Sequence, residues 1–451
     1  MAVADAGTAK DHYLRAFAPL DRALPRRADA WTAGLRRGAL ERFAVLGFPT
    51  QRLEEWRLTS VAPIAAAPFG IQERAAPNGV TRATFERFTF EPWECSHLVF
   101  VNGHAIPELS SARALPPGVL VCSLAEALAR HRGLVEPHLG RIAPAATHAF
   151  AALNTAFLQD GVFVHVPDGV TLEEPIHLLF VTAPHGERIA SFPRNLVVAG
   201  RASRVAIVES HAGLAPADVY FTDAVTEVVV GEGAVVDHIR LQQEAEAAFH
   251  VAVVQSEIGR SGVFNSWNVA LGGALSRSDL NAVLAAEGGE CRLEGLYVAG
   301  GRQHTDTHTL VDHAAPHGAS RQIFKGVLDG RARGVFDGTI IVRPDAVGTD
   351  AHQVNKNLLV SEDALADSNP RLQILNDDVR CTHGATIGQL DDDALFYLTT
   401  RGVSREAARN LLIQGFVSDI VHRIPIAAIR TGLECLLFTR LHPAHRAEGR
   451  S

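Results

Sequence analysis

Lysine is scarce in this sequence: among 42 basic residues only Lys10, Lys325 and Lys356 are lysine. None of them completes the G-x-x-x-x-G-K-[ST] loop that cradles phosphates, so the chain is expected to bind no nucleotide itself. Gly231-Glu232-Gly233 lacks the third glycine and the following helix of a dinucleotide-binding turn. Positive charge is also in deficit, with 50 acidic residues and a net charge of −8, which argues against nucleic acid or an anionic membrane as partner. No apolar run reaches the ~20 residues of a membrane-spanning helix. The opening MAVADAGTAKDHYL carries Asp5 and Asp11 and no signal-peptide core, so a cytoplasmic location is expected. Cysteine is sparse and odd in number: Cys95, Cys122, Cys291, Cys381 and Cys435 are far apart, with no C-x-x-C, which fits reduced thiols rather than a disulfide framework.

What remains is a globular composition, 451 residues at 47% apolar and 20% charged, enough for two to four structural units. Three are expected. Residues 1–160 read as mostly helical: Leu35, Ala39, Leu40, Phe43 and Leu46 recur at helical spacing until Gly47 and Pro49 stop them. Trp56 looks like an anchor between helical pieces, residues 61–92 are Ala- and Pro-rich and read as linker, and His97–Val101 and Val119–Val121 read as short strands.

Residues 161–386 form the second unit. From Gly161 to about Val342 short β-branched runs alternate with Gly, Asp, Asn or Pro, beginning with Val162–Val166 and Ile176–Thr182 and including Val225–Val230, His250–Ile258 and Leu293–Ala299. A sandwich, a barrel and a parallel β-helix all fit, but eleven or more strands are long for one sandwich. A solenoid extends freely if its ends are capped, and helical sequence lies on both sides, so a parallel β-helix is favoured. The third unit, 387–451, is helical. Asp391-Asp392-Asp393 start one helix, Ser404 caps a second bearing Leu411, Leu412, Phe416, Val417, Ile420 and Val421, and a third runs from Ile426 to Arg440. These apolar faces serve as core, end-cap or partner contact.

Two polar clusters could carry chemistry. On a strand, His304, Asp306 and His308 fall on one face, a zinc or first-row metal ligand set that would suit a self-contained metallohydrolase or a carbohydrate-active β-helix enzyme. The plainer reading is a satisfied polar strand face in a chain with 21 histidines. In Asp377-Asp378-Val379-Arg380-Cys381-Thr382-His383-Gly384, extended backbone would put Asp377, Cys381 and His383 on one face, with Arg380 lowering the thiol. Two or three ligands do not close a four-coordinate metal site, so the rest would come from sulfide, substrate or another chain. A Cys-His nucleophile pair is the other option, without an oxyanion motif beside it. Cys95-Ser96-His97 repeats the Cys-x-His spacing, so spacing alone identifies nothing.

The run Asn355-Lys356-Asn357-Leu358-Leu359-Val360-Ser361, then Asp377 to Leu390 with its Cys-Thr-His-Gly-Ala-Thr, then Leu395-Phe396-Tyr397-Leu398 and Arg401-Gly402, resembles the SufD family of iron–sulfur cluster assembly proteins. Gly47-Phe48-Pro49-Thr50, Glu54-Glu55-Trp56-Arg57, Asn154-Thr155-Ala156 and Asp160-Gly161-Val162 resemble it too, as do Asp306, His313 and Ser320. Ser368-Asn369-Pro370 and Asn376 depart from it where Thr-Lys-Pro and Ala are usual.

The resemblance implies a right-handed parallel β-helix core flanked by N-terminal and C-terminal helical domains. It also implies a non-catalytic scaffold subunit in a complex with a SufB-like paralogue and a SufC-like ATPase, the latter docked on the C-terminal helices, with a homodimer possible in isolation. Cys381 and His383 would then be candidate iron or cluster ligands at the partner interface, sharing a transient iron or iron–sulfur cluster with that partner.

Overall fold

The computed structural model describes residues 6–23, 30–89, 95–143 and 145–441. Asp5 and the end of the linker-like stretch, 90–92, lie outside the described residues.

Parallel strands dominate. We number the solenoid strands β1 Val162–Val166, β2 Ile176–Thr182, β3 Arg194–Ala199, β4 Arg204–Gly213, β5 Phe221–Val230, β6 Val235–Gln243, β7 Phe249–Ile258 and β8 Val263–Ala270. They continue as β9 Leu275–Leu284, β10 Glu290–Ala299, β11 His304–His313, β12 Ala319–Leu328, β13 Arg333–Val342, β14 Thr349–Leu359, β15 Leu365–Ile374 and β16 Val379–Gln389. Odd strands stack in one sheet and even strands in the other, each pairing in parallel with the strand two places on. The register keeps columns aligned: Phe221, Phe249, Leu275, His304, Arg333 and Leu365 succeed one another up the odd sheet. This is a parallel β-solenoid, mainly β, with helices at both ends of the chain.

Alternation sorts each strand's side chains into an inward and an outward set. Along one side of the lumen the inward set is apolar, including Val205, Ile207, Val228, Val254, Leu280, Leu293, Phe324 and Phe336. Along the other it is polar. Glu209 accepts from Thr226 Oγ1 at 2.8 Å and faces His211 and His238 at 2.8 and 3.1 Å, all fully buried. Burial would raise the Glu209 carboxyl, but the two imidazoles outweigh it and hold the group well below the usual carboxylate range.

Both faces of the solenoid are covered. Helices α1 Ala6–Ala23, α2 Ala30–Leu46 and α3 Ala149–Ala156 supply Tyr13, Phe43 and Phe150, which with Trp56 and Phe157 from the neighbouring turns pack against Phe221, Val251 and Leu275 on the odd sheet. The stretch after residue 61 is not a linker: Ile64, Phe69, Val80, Phe85 and Phe88 are all buried, and short helical turns form at Ala62–Ala66 and from Arg82 to Phe88. Residues Ser96–Val101 and Leu120–Ser123 pair with β2 and β1 and close the start of the solenoid. Gly161, at φ +153°, enters β1 so close to Arg194 that a Cβ would lie 1.9 Å from its carbonyl oxygen, so only glycine fits.

Helices α4 Asp392–Thr400, α5 Arg405–Val421 and α6 Ala427–Leu441 follow. Asp391 and Ser404 cap α4 and α5 as their sequence suggests. The last two helices do not lie over the end of the solenoid. Ile413, Val417, Ile420, Leu433 and Leu437 run along the outside of the even sheet, on Leu241, Trp267, Leu296 and Val327, and Lys325 Nζ reaches Asp419 at 2.9 Å.

Candidate functional site at the open end of the solenoid

Because the C-terminal helices take the flank, the last turn is left as an edge. Among the described residues β15 pairs only with β13, and β16 only with β14. Ten- and eleven-residue strands thus present unpaired N–H and C=O groups side by side, and Leu365, Ile374, Leu375 and Ile387 are exposed along them.

Register decides what this end displays. Cys381 sits opposite Ala351 and His383 opposite Gln353, both of which are buried and face the lumen. Cys381 and His383 therefore stand on the inward face of the final turn. Cys381 is half-buried against Ile340, Val342, Ala351 and Leu372, while His383 is exposed at the mouth. Asp377 lies in the bend before β16 and does not join them.

The expected help from Arg380 fails. Arg380 falls on the other face of β16, and burial together with the Asp350 carboxylate raises the Cys381 thiol, offset in part by the Ala351 backbone. The described residues contain no group of three or more His, Cys, Asp or Glu placed to hold a metal ion. This end of the chain presents one thiol and one imidazole on the same strand face, too few donors to close a metal site by themselves.

The other Cys-x-His pair is interior. Cys95 Sγ lies 3.4 Å from His97 Nε2, His97 Nδ1 3.0 Å from His177 Nδ1, and His177 Nε2 2.9 Å from Ser210 Oγ. Burial pushes the Cys95 thiol up to about 12 and His177 down to about 3, so this row holds neutral groups in place.

His304, Asp306 and His308 do share one face of β11, but Arg277 occupies their carboxylate. Arg277 donates to Asp306 Oδ2 at 2.8 Å and to both oxygens of Asp279, and Thr59 Oγ1 donates to Asp306 Oδ2 at 2.6 Å. His304 Nε2 lies 2.9 Å from the same Thr59 hydroxyl, and His308 Nε2 lies 3.0 Å from Asp306 Oδ1. The guanidinium stacks 3.7 Å over Trp56 and donates to the Glu55 carbonyl. A cation is thus already bound at this carboxylate, and it is a side chain. The cluster bolts the Glu54–Arg57 segment to the solenoid, and Trp56 is the anchor its sequence suggested.

The remaining motifs are joints of the same kind. Asn154 Nδ2 donates to the Pro193 and Asp223 carbonyls, and Arg194 reaches Asn154 and Thr155 while pairing with buried Glu227 at 2.8 Å. Asp160 accepts from the backbone N–H groups of Ala105, Ala125 and Gly161. His313 Nε2 meets Ser320 Oγ at 2.9 Å inside the lumen. At the departing positions Asn369 and Arg371 both bind Asp337, and Asn376 donates to the Pro344 carbonyl. Arg194, Arg277 and Glu227 carry no motif in the sequence; a charged residue inside a β-branched run was the only signal that could have marked them.

Family comparison matches residues 180–416 to the SufBD core domain of the SUF system for FeS cluster assembly, and residues 7–178 to the SufBD protein N-terminal region. The chain belongs to the SufBD family. It is 35% identical over 409 residues, 89% of each chain, to an iron–sulfur cluster assembly SufBD family protein of Synechocystis. It is 26% identical over 389 residues to the iron–sulfur cluster assembly protein SufD of Escherichia coli, covering 85% of this chain and 87% of that one. Protein ABCI7, chloroplastic, of Arabidopsis thaliana is 28% identical over 412 residues, 88% of this chain and 83% of that one. This SufBD chain therefore belongs to an iron–sulfur cluster assembly family.

Replacing Arg277 with Leu should leave Asp279 and Asp306 buried without their cation and cost about 3–5 kcal/mol in urea unfolding at pH 7. Burial raises both carboxyls, but Arg277 and the neighbouring histidines outweigh it and hold them far below their ordinary value. Their contribution is present above the ordinary carboxylate range and is lost only as pH falls toward those lowered values. Wild-type stability should therefore hold at pH 5, whereas in Arg277→Leu the buried carboxyls lose their cation and take up protons more readily, so the difference should be largest at pH 7 and narrow toward pH 5. A difference below about 1 kcal/mol would show that the joint does not hold the N-terminal region.

Proposed function

We propose that this chain is the SufD-type scaffold subunit of a SufBCD-like complex and works in the cytoplasm without catalysing a reaction itself. The observation that carries this reading is the last turn, which no strand among the described residues covers, with Cys381 and His383 on the inward face of β16. An edge of this length needs a cover, and a SufB-like paralogue, built on the same repeat, presents strands of matching spacing. In isolation a second copy of this chain could take that place as a homodimer. Iron or a nascent iron–sulfur cluster is the substrate, held transiently at the interface. Cys381 and His383 supply two ligands and the partner supplies the others. His383 is the stronger of the two, because a neutral imidazole ligates directly whereas the raised Cys381 thiol must first lose a proton.

Energy would come from a SufC-like ATPase docked on the C-terminal helices, since this chain has no P-loop. Phe396 and Tyr397 on α4 are 71% and 57% exposed, and Leu411 on α5 and Phe438 on α6 are also exposed, an apolar surface suited to a protein partner.

Replacing His383 with Ala should lower the iron and sulfide recovered with the complex while partner stoichiometry on sizing stays at wild type; Cys381→Ser should do the same more mildly. Full cluster loading in the His383→Ala complex would reject the ligand role.

The double substitution of Phe396 and Tyr397 by Asp should abolish capture of the ATPase in a pull-down and leave the paralogue bound. Both side chains point to solvent, so folding should be unaffected, and undiminished ATPase capture would place the docking surface elsewhere.

A further inference from the structure

Gln353 lies on β14 directly beneath His383, in register with it and on the same face. Its side chain is fully buried. Gln353 Nε2 donates at 3.1 Å to Gln322 Oε1, one turn further down, and that oxygen also accepts from Thr309 Oγ1 at 2.6 Å. Gly338 opposite leaves room for the amide: a Cβ there would fall 2.3 Å from Gln353 Nε2. An amide is planar, with its nitrogen and oxygen on opposite sides of the carbon that carries them. With the nitrogen turned down to Gln322, the oxygen is turned away from that turn. Gln353 Oε1 is buried and accepts no hydrogen bond from any described residue. Buried acceptors in folded proteins nearly always have a donor. Among the described residues only the last turn lies above Gln353, and the residue in register over it is His383, exposed at the mouth with no hydrogen bond from its ring to another described residue.

We propose that Gln353 is a positioning residue for His383. When the paralogue covers the mouth, the imidazole turns inward, one ring N–H donates to Gln353 Oε1, and the other nitrogen is held unprotonated toward the iron or cluster. This inference rests on the reading of His383 as a ligand. A metal-binding imidazole takes its tautomer from the hydrogen bond its second nitrogen makes, and loss of such a partner commonly weakens metal binding about 10–100-fold. The Thr309–Gln322–Gln353 row would then extend the polar side of the lumen up to the ligand.

The test measures Co2+ affinity, by its visible absorption, in the complex with the paralogue, for wild type, Gln353→Met, Gln353→Glu and His383→Ala. Gln353→Met keeps the shape and removes the acceptor, and should weaken Co2+ about 10–100-fold. Gln353→Glu restores an acceptor and should stay within about threefold of wild type, a rescue that a purely structural role would not give. Unchanged affinity in Gln353→Met, with His383→Ala weakened, would overturn the positioning role and leave the ligand reading standing. Unchanged affinity in His383→Ala would overturn the ligand reading itself. Should the Met variant fail to assemble, the 15N spectrum of His383 in the wild-type complex decides: a single neutral tautomer supports the proposal, and a mixture of both overturns it.

Discussion

In-register parallel pairing is the constraint on which the rest of this molecule depends. Each turn of the solenoid offers the next a row of N–H and C=O groups that must be met, and each column of side chains is fixed by the one beneath it. At the start, Ser96–Val101 and Leu120–Ser123 satisfy that demand. At the far end nothing within the described residues does, and of the two strands left open β16 carries both Cys381 and His383. The proposed ligands and the unmet hydrogen bonds occupy the same turn, so a partner that satisfies one is placed to complete the other.

The flanking regions fit this division. Aromatic packing and the Arg277 joint fasten the N-terminal helices to the odd sheet, and Lys325 with an apolar stripe fastens α5 and α6 to the even sheet. By taking the two flanks they leave the axis open. A buried ion network of this kind is costly to disrupt because removal of one member strands the others without water. That gives the joints their role: they set where the covering elements sit, while burial of apolar surface supplies most of the stability.

Much of the fold was legible because β-branched runs and turn residues mark strands by themselves. Val162–Val166 and Ile176–Thr182 were read at their observed limits. The apolar pattern of strand β9 is legible only from Leu280 onward, because Arg277 and Asp279, which form the N-terminal joint, break it before that point. Strand β14, with Gln353, Asn355 and Asn357 facing the lumen, looks like a polar loop for the same reason: the polar side of this interior is hydrogen-bonded rather than greasy. The pairing of Cys381 with His383 on one strand face was legible from spacing, and the raised thiol was not, since it depends on Asp350 and on packing from the opposite sheet. Nor could amphipathic helices say which surface they would cover; the sequence leaves core, end-cap and partner contact open, and the structure packs α5 and α6 as core on the flank of the even sheet.

The central claim is that the last turn is a docking edge. Hydrogen–deuterium exchange of the chain alone, and then of the chain mixed with the proposed SufB-like partner, tests it directly. Backbone amides of β15 and β16, residues 365–389, should exchange quickly alone and become strongly protected in the complex, while those of β5 to β9 remain protected in both. Protection that appears elsewhere and leaves 365–389 unchanged would contradict the account.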